Sequence, residues 1–449
     1  MNALGVLVLG FLLLILLLAP RRVALLAMLA GVLYLTQAQS VNVLGFNMYA
    51  LRFLELAGFV RVMARREFTF NRLNRIDGAL LFFYGYTTIV FLLRSSENQA
   101  YQIGRAVDAC FSYFTFRGLL GGGEEFRKFL RDFVILLFPF VLFLLVETVT
   151  ERNPILSMAG VSQGHLSRGG RVRCLGTFQF AALLGSLGAT FLPLYMALAF
   201  AKAGRLVAAL GIGLCLLIVW ASNSGGPINC AAVALVAWIL WTQRQNMKRV
   251  RRGIVAVIVL LALFMKAPIW YIPMKLSAFT GGTGWHRSYL MEKAYQEIAN
   301  WGLAGMAIEN TADWLPYGLE TTGNADITNE YISFGLAAGV PAIALFVFVL
   351  TCAFRALGNA LAAARAGPGA SLETELLLWG LGAMLVAHVV NWFGCSYYDQ
   401  FKVVFFLQLA AISTLAGSAP QAILLADRPM ASSGRGRRET DDVSLEGAA

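Results

Sequence analysis

Two arginine-bearing stretches hold the side chains best suited to chemistry in this 449-residue chain. They are Ser167-Arg168-Gly169-Gly170-Arg171-Val172-Arg173 and His286-Arg287. A guanidinium keeps its charge at physiological pH, and its planar fork of donors matches phosphate oxygens bidentately. Arg171, Arg173 and Arg287, with Arg52 from an apolar stretch, are therefore candidates to hold a di-anionic group. The plainer use of such arginines is contact with anionic lipid headgroups or with acids such as Glu292. Two carboxylates lie where they could accept a proton: Glu330 in Thr328-Asn329-Glu330-Tyr331, and Asp399 in Tyr397-Tyr398-Asp399-Gln400. His286, Trp301, Asn329, Tyr331 and Tyr398 supply polar and aromatic groups to line the same space.

The elements that must position these residues are apolar helices. The chain is 58% hydrophobic and only 14% charged, with 32 Phe and 9 Trp, too oily to cover a soluble surface. Runs of roughly 20 apolar residues recur from end to end, each long enough to cross a hydrocarbon core. The expected fold is all-α: a polytopic membrane protein with about 13 transmembrane helices. The spans fall near 2–19, 23–40, 43–60, 77–94, 99–119, 132–149, 177–200, 205–222, 227–243, 253–270, 331–354, 375–394 and 401–418. The net charge of +11 points to topology rather than nucleic acid, because most basic residues sit in short loops on one side. That bias predicts an N-terminus outside and a C-terminus inside. Arg21-Arg22 follows the first span and no basic residue precedes it, as in a retained anchor.

Residues 1–418 form one membrane domain and 419–449 a disordered cytoplasmic tail, polar and without periodicity. The longest interruption, Ala267 to Tyr331, faces outward and is too long and aromatic for a connector. Within this loop, 268–330, an amphipathic helix is expected over 285–299, from the spacing of Trp285, Tyr289, Met291, Tyr295 and Ile298. Inside the spans, Arg52–Glu55 and Arg105–Asp108 stand at i, i+3 and can pair along one helix face. Such charges mark either a cavity or a structural tie between helices. His388 in span twelve reads as a core histidine.

No metal, nucleotide or other cofactor is called for: His165, His286 and His388 are scattered, and neither a Walker motif nor GxGxxG occurs. The six cysteines lack CxxC spacing. Cys174 and Cys395 are the two that could face an oxidising compartment, which leaves a bridge between them open.

Taken in order, several of these motifs resemble the O-antigen ligase and O-antigen polymerase superfamily of bacterial inner-membrane glycosyltransferases. The likeness runs roughly from residue 40 to 415. It includes Arg52, Arg171-Val172-Arg173-Cys174-Leu175-Gly176-Thr177-Phe178 and the turn Ser222–Pro227. Its most telling part is Gly284-Trp285-His286-Arg287, Trp301-Gly302-Leu303-Ala304-Gly305, then Asn329-Glu330-Tyr331 with Gly335 and Gly339. The resemblance implies a GT-C-like helical fold in the bacterial inner membrane, with a metal-independent, inverting site on the periplasmic face. It implies an undecaprenyl-diphosphate-linked glycan as donor, and a flippase and a chain-length regulator as partners in O-antigen or exopolysaccharide synthesis. The family often has a His-Asn pair where this chain has Thr328-Asn329, a departure that favours polymerase over ligase.

On this reading Arg287, Arg173, Arg171 and Arg52 neutralise the leaving diphosphate, and Glu330 or Asp399 takes the proton of the attacking hydroxyl. A ligase passing glycan to lipid A-core is the nearest alternative. A transporter that moves the lipid-linked glycan without chemistry is the rival from another class.

Overall fold

The computed structural model describes residues 1–43, 46–162, 166–201, 204–275, 284–314, 326–366 and 371–426. The expected tail from 427 onward, His165, and parts of the large loop (276–283 and 315–325) lie outside the described residues. The chain is mostly helical. Its helices are α1 (Ala3–Leu18), α2 (Arg21–Tyr34), α3 (Ala50–Ala64), α4 (Arg75–Arg94), α5 (Gln99–Leu119), α6 (Gly123–Thr150), α7 (Pro154–Met158), α8 (Ala181–Ala199), α9 (Arg205–Ala221) and α10 (Gly225–Ile239). They continue with α11 (Met247–Phe264), α12 (Gly284–Gln296), α13 (Ile298–Trp301), α14 (Glu330–Ala366), α15 (Leu372–Asn391) and α16 (Lys402–Ala426).

Each of the thirteen apolar stretches contains a helix, but lengths differ from the expected spans. Among the described residues, five helices are long and apolar enough to cross a membrane: α4, α6, α8, α14 and α15. A sixth span is reached if the run Gly225–Phe264 is joined to Ile269–Lys275 across a 98° bend. Helices α1, α9 and Lys402–Gly417 of α16 are apolar but shorter. The last helix continues past the expected span end to Ala426. The third stretch differs most. Before α3 comes a hairpin, β1 (Ser40–Val43) with β2 (Phe46–Tyr49), pairing Val41 with Met48 and Asn42 with Asn47. Apolar and polar residues alternate there with period two, which suits a strand and not a helix.

Helix α8 is buried almost all round and packs against α9, α10 and α15, while α14 lies between α4 and α16. Helix α11 has no buried residue, and its apolar side chains from Ile254 to Phe264 face outward. That surface suits lipid rather than water.

Arg52, Glu55, Arg105 and Asp108 pair across elements, not along one helix. Arg52 binds Asp108 through Nε (2.8 Å) and Nη2 (3.0 Å), and Lys402 Nζ reaches the same carboxylate at 2.7 Å. The Tyr49 hydroxyl donates to it as well, at 2.7 Å. Glu55 accepts from Ser112 Oγ at 2.8 Å, and Arg105 lies 3.8 Å from Glu330. Neither expected i, i+3 pair forms, because one Asp108 carboxylate satisfies two cations from α3 and α16 at once.

Helix α14 breaks at Ala338 (φ −154°) and Gly339 (φ +80°), just before Pro341. The segment after α13 docks into the break. Val340 N–H donates to Gly302 O at 2.8 Å, and Met306 N–H to Leu336 O at 3.0 Å. A Cβ on Gly339 would strike the Leu303 carbonyl, and one on Gly305 (φ +80°) would strike Leu336. Trp301 seats its ring on Gly335, where a Cβ would lie 2.5 Å away. These contacts give the glycines of the two motifs a shared task. A small core of Leu290, Ala294, Trp301, Trp314, Ile327, Ile332 and Leu336 completes the joint. The described parts of the large loop are thereby fixed to the bundle, and α12 with them.

Candidate functional site

The first arginine stretch folds as a hairpin. β3 (Ser167–Arg168) pairs with β4 (Arg171–Val172) about Gly169 (φ +58°) and Gly170 (φ +73°), the two positive φ values that a two-residue hairpin turn requires. The chain leaving it is pinned at every step. Arg173 N–H donates to Leu166 O at 2.8 Å, and Cys174 N–H to Ala221 O at 3.1 Å. The Glu147 carboxylate then takes Leu175 N–H at 2.9 Å and Gly176 N–H at 3.1 Å.

This fixes Arg173 beside the start of α10, where its Nη2 donates to Ser224 Oγ at 3.4 Å. Ser224 is the N-cap of α10, yet its side chain accepts no capping bond there. Arg287 arrives from α12 on the other side. A Cβ placed on Gly226 would lie 3.5 Å from Arg287 Nη2, and one on Gly394 would lie 3.0 Å from Nε. Two glycines thus leave room for one guanidinium.

The cluster is short of negative charge. Among the described residues no carboxylate forms a salt bridge with Arg168, Arg173 or Arg287, and the Nε atoms of Arg173 and Arg287 are buried without partners. Burial lowers the pKa of Arg173, and the nearby charges of Arg168 and Arg287 lower it further. Burial also lowers that of Arg287, with Arg168 adding to the effect and Asp326 opposing it. The positive end of α10 points into the same space. An arrangement of this kind is suited to an anion.

Beside it lies an apolar cavity of about 660 Å3. Gly226, Arg287 and Gly394 form one part of its wall, and Trp301, Asn329 and Tyr331 another. Ile258 of α11, with Ile269 and Trp270, also lines it. Asn329 caps α14 by accepting from Ile332 N–H at 3.1 Å, and the Tyr331 hydroxyl donates to Val389 O at 3.0 Å. The site can therefore hold an anionic head against arginine and an oily tail in the cavity.

Other expected site residues have structural tasks. Arg52 is engaged by Asp108 and also donates to Asn47 O at 2.7 Å, so its fork is already filled. Arg171 points outward, stacked 4.5 Å over Trp220 and bonded to that residue's carbonyl at 3.3 Å. Glu330 is buried and accepts Tyr397 N–H at 2.8 Å. Asp399 is fully buried, and its two oxygens accept Gln179 N–H at 2.8 Å and Phe401 N–H at 3.0 Å. Burial pushes its carboxyl up to about 6, against the pull of those backbone donors. Tyr398 is partly exposed, with its ring edge-on to Phe180. His388 is a core residue bonded to Tyr397 Oη at 2.9 Å and boxed by Trp392 and Phe405. Cys174 and Cys395 are free thiols.

Asp326, which sequence reasoning passed over, belongs beside the cluster: its carbonyl lies 3.2 Å from His286 Nε2. Its place two residues before Thr328-Asn329 was the available signal. A comparison of the chain with protein-family models and with curated proteins finds no match.

Proposed function

We propose that this protein is a membrane glycosyltransferase that joins undecaprenyl-diphosphate-linked oligosaccharide repeats on the periplasmic face of a bacterial inner membrane. The observation that carries the reading is the pair Arg173–Arg287 at the head of α10, with no carboxylate salt bridge among the described residues and an oily cavity alongside. A lipid diphosphate has this same combination of charge and tail. In this reading all thirteen apolar stretches cross the bilayer, with the N-terminus outside and the C-terminus inside, which puts Arg173 and Arg287 at the outer rim.

The diphosphate on the anomeric carbon is already a good leaving group. Arg287 and Arg173, with Arg168 close by, stabilise the charge that grows on it as the sugar–oxygen bond breaks, an effect usually among the largest in catalysis. Attack by an acceptor hydroxyl from the opposite face inverts the anomeric centre. The docked outer loop keeps water from competing. The geometry of the arginine pair serves a polymerase and a ligase equally; the absence of histidine at Thr328 favours the former.

The test is reconstitution. Purified protein in detergent, given lipid-linked repeats extracted from its own host, is expected to yield longer glycans and free undecaprenyl diphosphate without any ion gradient. Movement of the intact lipid across liposomes, with no new glycosidic bond, would mark it as a transporter instead.

A further inference from the structure

Resting on the transferase reading above, we infer that Asp326 is the group that accepts the proton of the attacking hydroxyl. Glu330 and Asp399 are unsuited, since both are buried and bonded to backbone amides that hold the turn between α15 and α16. Asp326, by contrast, reaches solvent.

The segment that carries it is held from several sides. His286 Nε2 lies 3.2 Å from Asp326 O, Ser396 Oγ donates to Ile327 O at 2.7 Å, and Glu330 N–H donates to Trp392 O at 3.0 Å. Backbone order this close to a solvent-reaching carboxylate is what a positioned base needs. Its backbone carbonyl meets His286, the residue before Arg287, so Asp326 borders the space in which a sugar held by Arg287 receives the acceptor hydroxyl. Partial burial raises the carboxyl above its ordinary range, while His286 and Arg287 pull it back. The outcome is a base stronger than a free aspartate.

The step balances simply. The acceptor oxygen forms a bond to the anomeric carbon, and the carbon–oxygen bond to the diphosphate breaks. The lipid diphosphate departs with the electron pair, the hydroxyl proton passes to the Asp326 carboxylate, and water then carries it away.

The experiment compares wild type with Asp326→Asn and Asp326→Glu in detergent, using host-extracted lipid-linked repeats as donor and undecaprenyl diphosphate as the binding probe. Asp326→Asn is expected to slow transfer by about 10²- to 10³-fold while binding undecaprenyl diphosphate as well as wild type or better. It should also lose the acidic limb of the pH–rate profile, and Asp326→Glu should recover part of the rate. Wild-type transfer with Asp326→Asn within about threefold of it, or a parallel collapse of folding and probe binding with an unchanged acidic limb in Asp326→Glu, would overturn this assignment and leave the transferase standing. No transfer by wild type would overturn both.

Discussion

Arg52 and Arg287 carry the same guanidinium, yet their neighbours treat the charge in opposite ways. Arg52 meets a carboxylate at 2.8 and 3.0 Å, and that carboxylate also holds Lys402 and Tyr49. Arg287 meets two glycines, a second arginine and a cavity wall, with its Nε buried and unpartnered. Deep in the bundle such pairing is obligatory, because an uncompensated charge there costs several kcal/mol. At the Arg173–Arg287 cluster the fold tolerates the cost instead of removing it. The lesson is that an arginine salt-bridged to its own acid is part of the frame, while the Arg173–Arg287 pair, with no salt bridge among the described residues, is the place we propose for the diphosphate.

Substitutions can break this contrast, and the largest effect is expected at the Arg173–Arg287 pair. Arg287→Ala should lower glycan transfer by about 10²- to 10³-fold, measured as product per minute, with no loss of melting temperature because repulsion within the cluster falls. Arg287→Lys should recover little, since an ammonium lacks the fork. The frame should behave in reverse. Asp108→Asn leaves Arg52 and Lys402 without their anion and should cost about 3–5 kcal/mol of stability, read as a lower melting temperature and a poor folded yield.

A smaller change sharpens the comparison. Gly394→Ala places a methyl 3.0 Å from Arg287 Nε, so the guanidinium must shift by a few tenths of an ångström. Transfer should fall by about tenfold with folding intact. Arg171→Ala is expected to be mildest, within about threefold of wild type in transfer, since the side chain lies outside that cluster on Trp220.

Much of this was legible in the sequence, for identifiable reasons. Helices such as α6 and α14 announce themselves through long apolar runs, and Gly335 and Gly339 were singled out with the Trp301–Gly305 motif they meet. Arg173 and Arg287 stood out because arginine on a face expected to be the outer one needs a reason. What sequence could not give was partner choice. Arg52 and Glu55 are neighbours on paper, but the carboxylate that binds Arg52 lies on α5 and the cation that shares it on α16. Glu330 and Asp399 look like bases until the backbone amides that occupy them are seen. Asp326 was missed because the eye goes to Thr328-Asn329, and only the fold brings it to His286.

The central claim is that the arginine pair binds a lipid diphosphate. Its most direct test is the affinity of purified protein for undecaprenyl diphosphate, compared between wild type and an Arg173→Ala, Arg287→Ala double variant of equal melting temperature. The account predicts binding weaker by about 10- to 100-fold in the variant, with a shallower dependence on salt. Equal affinity and equal salt dependence in the two proteins would contradict it.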